Sequence, residues 1–285
     1  MSADATTSLG VVMRIEVQGI PIDIQVRGEG RPLLMLHGWS ADHMYLVADL
    51  DALVAEQTGW RRIYFDLPGH GTTPAPDWLH SQEQMLEIVT DIADQMIGEE
   101  PFAVAGSSYG GYLTLGLVRT IPERLLGAAL LVPDLPDADN SRDLPEPVTL
   151  YPDVSLFHDL AADEAWIPEG LVVHEQRMLD EIRAYDMPGY RACDRDFLER
   201  LNQHYVYQGR AGEPQGPFAG PSLVVIGRQD ATVGWRAQQS LLPEFPRATF
   251  ATLDLGGHHI GRIERPALFG ALVRDWLDRL ERSLV

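Results

Sequence analysis

Lysine is missing altogether: all 22 basic residues are arginine. That excludes lysine Schiff-base chemistry and the lysine-bearing phosphate loop. The only cysteine, Cys193, leaves no internal disulfide and no thiolate metal cluster within one chain, so a packing role is expected for it. Long apolar runs are lacking too. Nothing approaches the roughly 20 residues that span a bilayer, and Met1 to Gly10 has neither the basic start nor the apolar stretch of a secretory signal. A cytoplasmic protein is expected. Positive charge is scarce, with 42 acidic residues setting the net charge at −20. A field of that sign repels nucleic acid and anionic lipid over a Debye length of roughly 8 Å. The expected partner is a small-molecule substrate, with no nucleic acid and no membrane; the oligomeric state cannot be read. His43, His70, His80, His158, His174 and His204 show no metal-ligand spacing, so neither a metal nor a cofactor is expected.

What is present is alternation. Val11 to Gln18 and Ile20 to Arg27 read as two strands of a hairpin turned at Gly19. Short apolar runs follow at Arg31 to Leu36, Arg61 to Phe65, Phe102 to Ala105, Leu126 to Val132, Ser222 to Ile226 and Thr249 to Leu253. Between them, helical spacing runs through Asp42 to Ala55, Ser81 to Ile97, Tyr112 to Thr120, Trp235 to Leu242 and Pro266 to Leu280. Strands alternating with helices predict an α/β fold, a mostly parallel sheet with helices on both faces. The alternation breaks from Asp134 to Pro217, where 18 acidic residues face 7 arginines for a net of −11. Amphipathic helices are expected there around Leu171 to Tyr185 and Asp194 to Tyr207. A segment of that length between core strands reads as a functional insertion. The expected division is a core of residues 1–133 and 218–285 with a helical cap over 134–217.

The densest chemical signal is Gly106-Ser107-Ser108-Tyr109-Gly110, between a strand and a helix. A strand-to-helix turn that tight needs very small residues two before and two after the nucleophile. Gly106 and Gly110 fill both places around Ser108; Ser107 would need Ala105 and Tyr109 there. Ser108 is the candidate nucleophile.

With His37-Gly38-Trp39 ending the third strand, Asp66-Leu67-Pro68-Gly69-His70-Gly71 after the next, Gly227 to Val233 and Gly257 to Pro266, the chain resembles the α/β-hydrolase family from Val11 onward. The resemblance implies the order Ser108, Asp230, His259 for nucleophile, acid and base. Two histidines follow Gly257. In the family the base commonly stands five residues before a Glu-x-Pro, and His259 has that spacing to Glu264; His258 reads as a loop neighbour. Asp134, after the sixth strand, is the rival acid and reads as a solvated carboxylate at the hinge of the cap. Asp66 and His37 read as structural. The resemblance also implies an oxyanion hole from the backbone N–H groups of Trp39 and Tyr109, with the Trp39 ring a candidate wall of the substrate pocket. It points to a serine hydrolase cleaving a carboxylic ester through an acyl-enzyme. The same residues would serve an N-terminal aminopeptidase or amidase, a thioesterase, a lactonase or a carbon–carbon hydrolase, or line the pocket of a non-catalytic receptor.

Overall fold

The computed structural model describes residues 10–284. Eight strands form one sheet: β1 (Val11–Val17), β2 (Ile20–Arg27), β3 (Arg31–Leu36), β4 (Trp60–Phe65), β5 (Phe102–Ser107), β6 (Leu125–Leu131), β7 (Ser222–Gly227) and β8 (Ala248–Leu253), in the order β1-β2-β4-β3-β5-β6-β7-β8. β1 pairs antiparallel with β2 and β2 with β4; every later pairing is parallel. A parallel strand covered on both faces has no polar side to show, which is why β5 and β7 are buried at every residue.

Successive side chains of a strand point to opposite faces, and the two cores divide accordingly. Leu34 and Leu36 of β3 join Phe102 and Val104 of β5 on one face, beneath the helices Gln82–Ile97 and Tyr109–Thr120. Leu33 and Met35 join Ala103 and Ala105 on the other, beneath Pro266–Ser283. That last helix buries Phe269, Val273, Trp276, Leu277 and Leu280, while Leu268 of the expected stripe stays exposed. The helix Gln82–Ile97 begins in a capping box of Ser81 and Gln84 and stops at Gly98, where φ is 72°.

The expected helix at Trp235 to Leu242 is only a 3₁₀ turn, Ala237–Leu241. Pro243 follows directly, and a proline disfavours helical geometry in the residue before it.

Residues 132–221 leave the sheet between β6 and β7. Their helices are shorter than the periodicity predicts: Gln176–Glu181 runs on as a wide turn, Ile182–Asp186, then as Met187–Ala192, and Arg195–Asn202 follows. The segment has a small core of its own, with Ile167, Leu171, Met178, Leu179, Ile182 and Met187 around Ile263. It is also keyed into the main body. Phe197 is fully buried in the principal core, and a Cβ on Gly69 would lie 2.2 Å from its ring. A Cβ on Gly189 would lie 2.5 Å from the backbone nitrogen of Asp42.

Candidate active site

Ser108 stands between β5 and its helix with φ 55° and ψ −115°, a conformation that non-glycine residues rarely adopt. The surrounding contacts explain the glycines. A Cβ on Gly106 would lie 2.0 Å from the carbonyl oxygen of Gly110, and one on Gly110 would lie 1.8 Å from that of Leu36. The strand, the turn and the end of β3 therefore meet backbone to backbone, and the Ser108 hydroxyl is driven out at the sheet's carboxyl edge. Ser107 remains in the strand.

Ser108 Oγ lies 3.0 Å from Nε2 of His258, and His258 Nδ1 lies 2.9 Å from Oδ2 of Asp230. Asp230 follows β7 and is wholly buried; its Oδ1 accepts from the backbone N–H groups of Thr232 and Val233 at 2.8 and 3.0 Å. With that carboxylate aimed at Nδ1, the neutral imidazole carries its proton there and leaves Nε2 free to accept one from Ser108. Burial works against the imidazolium, but the charge and hydrogen bond of Asp230 outweigh it and raise the pKa of His258 above the ordinary histidine value.

This corrects the expectation for His259. Its ring faces Asp186, with Nδ1 3.1 Å from Oδ2, and stacks on Trp166 at a centroid distance of 5.6 Å. The family spacing slips by one residue because the chain from Ile260 to Glu264 winds in a wide turn. Its N–H groups reach back five residues, Glu264 to His259 and Arg265 to Ile260, and Gly261 leaves helical geometry altogether. The additional residue is taken up there, and His258 occupies the place beside Ser108.

Asp134 is not solvated. It is 6 % exposed, its two oxygens receive a bidentate pair of bonds from Arg142 at 2.6 Å, and Tyr205 donates to it. Asp66 accepts from His43 and from the backbone N–H of Thr72, and this loop-closing set holds its pKa well below the usual carboxylate range against the effect of burial. His37 Nε2 accepts from the Leu67 amide, so Nδ1 donates to the Gly38 carbonyl; burial keeps the ring neutral.

Tyr109 follows Ser108 directly in the chain, and Trp39 lines the same cavity as Ser108. Tyr109 opens the helix Tyr109–Thr120, so its N–H has no partner in that helix. Neither its amide nor that of Trp39 is engaged in a hydrogen bond among the described residues. A Cβ on Gly38 would lie 3.3 Å from that of Ser108, which brings the Trp39 turn against the nucleophile. The Trp39 ring packs edge-on against Tyr109 and Tyr205 and also forms part of a cavity of about 270 Å³ in front of Ser108. The rest of that wall includes His259, for which the sequence implied a different role, and three residues of the insertion that the sequence left unmarked, Trp166, Asp186 and Tyr190. No motif marks them, since the direction a short irregular helix faces is set by packing.

The model of the alpha/beta hydrolase family matches residues 33–272. The chain belongs to the alpha/beta hydrolase family. This alpha/beta hydrolase is 30% identical over 276 residues to the dihydrolipoyllysine-residue acetyltransferase component of the acetoin cleaving system of Cupriavidus necator, a match covering 92% of this chain and 68% of that protein. Pimeloyl-[acyl-carrier protein] methyl ester esterases are similar as well. That of Legionella pneumophila is 31% identical over 104 residues, 36% of this chain and 38% of the esterase. That of Xanthomonas campestris is 26% identical over 253 residues, 82% and 90% respectively. Among solved structures, an alpha/beta superfamily hydrolase from Oenococcus oeni superposes with a TM-score of 0.84 at 21% identity, covering 94% of this chain and 99% of that one. At that identity the likeness speaks for the fold. The alpha/beta hydrolase described here is thus a hydrolase with esterases among its relatives, and among its described residues no helix is long and apolar enough to cross a membrane.

Proposed function

We propose that the chain cleaves carboxylic esters of small or medium-sized substrates through a covalent acyl-serine. The observation that carries this reading is the unbroken hydrogen-bond relay from Ser108 through His258 to the buried Asp230. A serine hydroxyl attacks a carbonyl only when a base takes its proton as the bond forms. His258 Nε2 is that base. Asp230 holds the tautomer and stabilises the imidazolium, and the N–H groups of Trp39 and Tyr109 receive the oxyanion. The imidazolium then protonates the departing alcohol, water enters, His258 takes its proton, and a second tetrahedral intermediate collapses to release the acid. Residues 134–217 act as a helical cap over the cavity. The esterases among the relatives favour an ester as the substrate class.

The test is a serine-directed fluorophosphonate together with an ester of graded acyl length. Wild type labels at Ser108 and turns over. His258→Ala loses labelling and about 10⁴-fold or more in kcat, as removal of a triad member does, whereas His259→Ala still labels. Labelling that survives in His258→Ala and vanishes in His259→Ala would return the base to His259. A wild-type chain that neither labels nor hydrolyses any ester would overturn the reading.

A further inference from the structure

One polar pair in the cavity plays no part in the relay. Asp186 closes the wide turn Ile182–Asp186 and is 8 % exposed. Its Oδ1 accepts from Arg262. Its Oδ2 has no hydrogen-bond partner among the described residues, and neither has Nδ1 of His259, although the two atoms are only 3.1 Å apart. The two atoms are within reach of each other, yet they do not form a hydrogen bond. A buried carboxylate oxygen left without a donor is costly. Both residues line the cavity that holds Ser108 and His258, and the His258 and His259 rings stand edge to face with centroids 6.1 Å apart.

Charge around the pair is unbalanced. The Arg262 guanidinium is shared by Asp49, Glu181 and Asp186. Three carboxylates share that one cation, so the cluster is short of positive charge. Trp166 and Tyr190 line the same cavity and wall the pair with aromatic surface, Trp166 stacked on His259 and Tyr190 carrying the Arg195 guanidinium over its ring at 4.4 Å. Of the insertion's arginines, Arg183 and Arg191 are paired with Glu164 and Asp163, and Arg210 bonds the carbonyl of Arg119.

We infer that Asp186 and His259, walled by Trp166 and Tyr190, form a subsite for a primary ammonium group on the substrate, a few bonds from the carbonyl that Ser108 attacks. The inference rests on the ester-hydrolase reading above and narrows its substrate class. The ammonium donates to Asp186 Oδ2 and to the lone pair of His259 Nδ1, supplying the donor both atoms lack. A quaternary ammonium, with no N–H, does not satisfy them.

Two isosteric pairs test it by exchanging a methyl for an ammonium on either side of the ester: methyl butyrate against β-alanine methyl ester, and butyl acetate against 3-aminopropyl acetate. In at least one pair the ammonium member is expected to have the higher kcat/KM by about tenfold, the scale of one charge-assisted hydrogen bond. Because the contact is direct, the ratio persists at about 0.5 M salt, where a diffuse field is screened. In Asp186→Asn the ratio falls to about one. A ratio near one in both pairs, or one unchanged in Asp186→Asn, overturns the subsite. Binding to Ser108→Ala, which does not turn over, gives a second readout by calorimetry. Propylammonium is expected to bind and 1-propanol not to; no binding of propylammonium overturns the subsite whether or not Asp186→Asn folds. The two readings fail separately, since ester hydrolysis without ammonium preference removes only the subsite, and ammonium binding without ester hydrolysis removes only the ester.

Discussion

In the proposed mechanism, His258 carries the pH dependence of hydrolysis. Only the neutral imidazole can take the proton of Ser108, and Asp230 raises the pKa above the ordinary 6.5 or so of histidine. A raised pKa keeps the ring protonated, and so unable to act, up to a higher pH. The acidic limb of kcat/KM is therefore expected to have its midpoint above pH 6.5, and Asp230→Asn should move that midpoint down while costing roughly 10⁴-fold in rate. A wild-type midpoint below 6.5 would count against Asp230 as the partner of the base. Ser108 was legible in the sequence because glycine spacing is a steric demand, written in residue type. The choice between His258 and His259 was not, because it depends on how many residues a single loop turn consumes, and that number is set by the Gly261 kink rather than by any side chain in the motif.

At the scale of elements, the elbow holds the tightest glycine contacts among the described residues. A methyl at Gly110 meets the Leu36 carbonyl, which belongs to a central strand paired on both sides and cannot retreat. Gly110→Ala is expected to cost roughly 3 kcal/mol, the upper range for overpacking, which for a domain of this size lowers Tm by about 6–12 °C. Thermal unfolding read by circular dichroism checks it; a loss under about 2 °C would mean that the turn can open. The strands were legible almost to the residue, the first two by the hairpin turned at Gly19 and the later six because each is a short apolar run bounded by glycine, proline or charge. Helices were legible where an apolar stripe met a clear stop. They were misread at Trp235 to Leu242, where periodicity persists over a stretch that Pro243 does not allow to wind, and in 134–217, where three short helices stand in place of longer ones.

Over the whole molecule, the negative balance was plain from composition, but its distribution was not. Arg183 and Arg191 are paired with Glu164 and Asp163 within the insertion, and Arg262 ties Asp49 of the core to Glu181 and Asp186 of the insertion. The order of the chain adds one more consequence. Ser108 and the amides of Trp39 and Tyr109 all precede the insertion, while Asp230 and His258 follow it, and Ser141 to Thr149 between them is neither helix nor strand and is largely open to solvent. The protein is thus divisible at a permissive loop into two polypeptides, each carrying half of the reactive machinery. Broken at Glu146 and fused to a pair of associating tags, neither piece should take up fluorophosphonate alone. Mixing should restore labelling as β7 docks on β6 through Ala128 to Leu131 and Ser222 to Val225. Unrestored labelling with both pieces soluble would show that the sheet must close within one chain. Restored labelling would make this hydrolase a split reporter whose signal appears only when two fused partners meet.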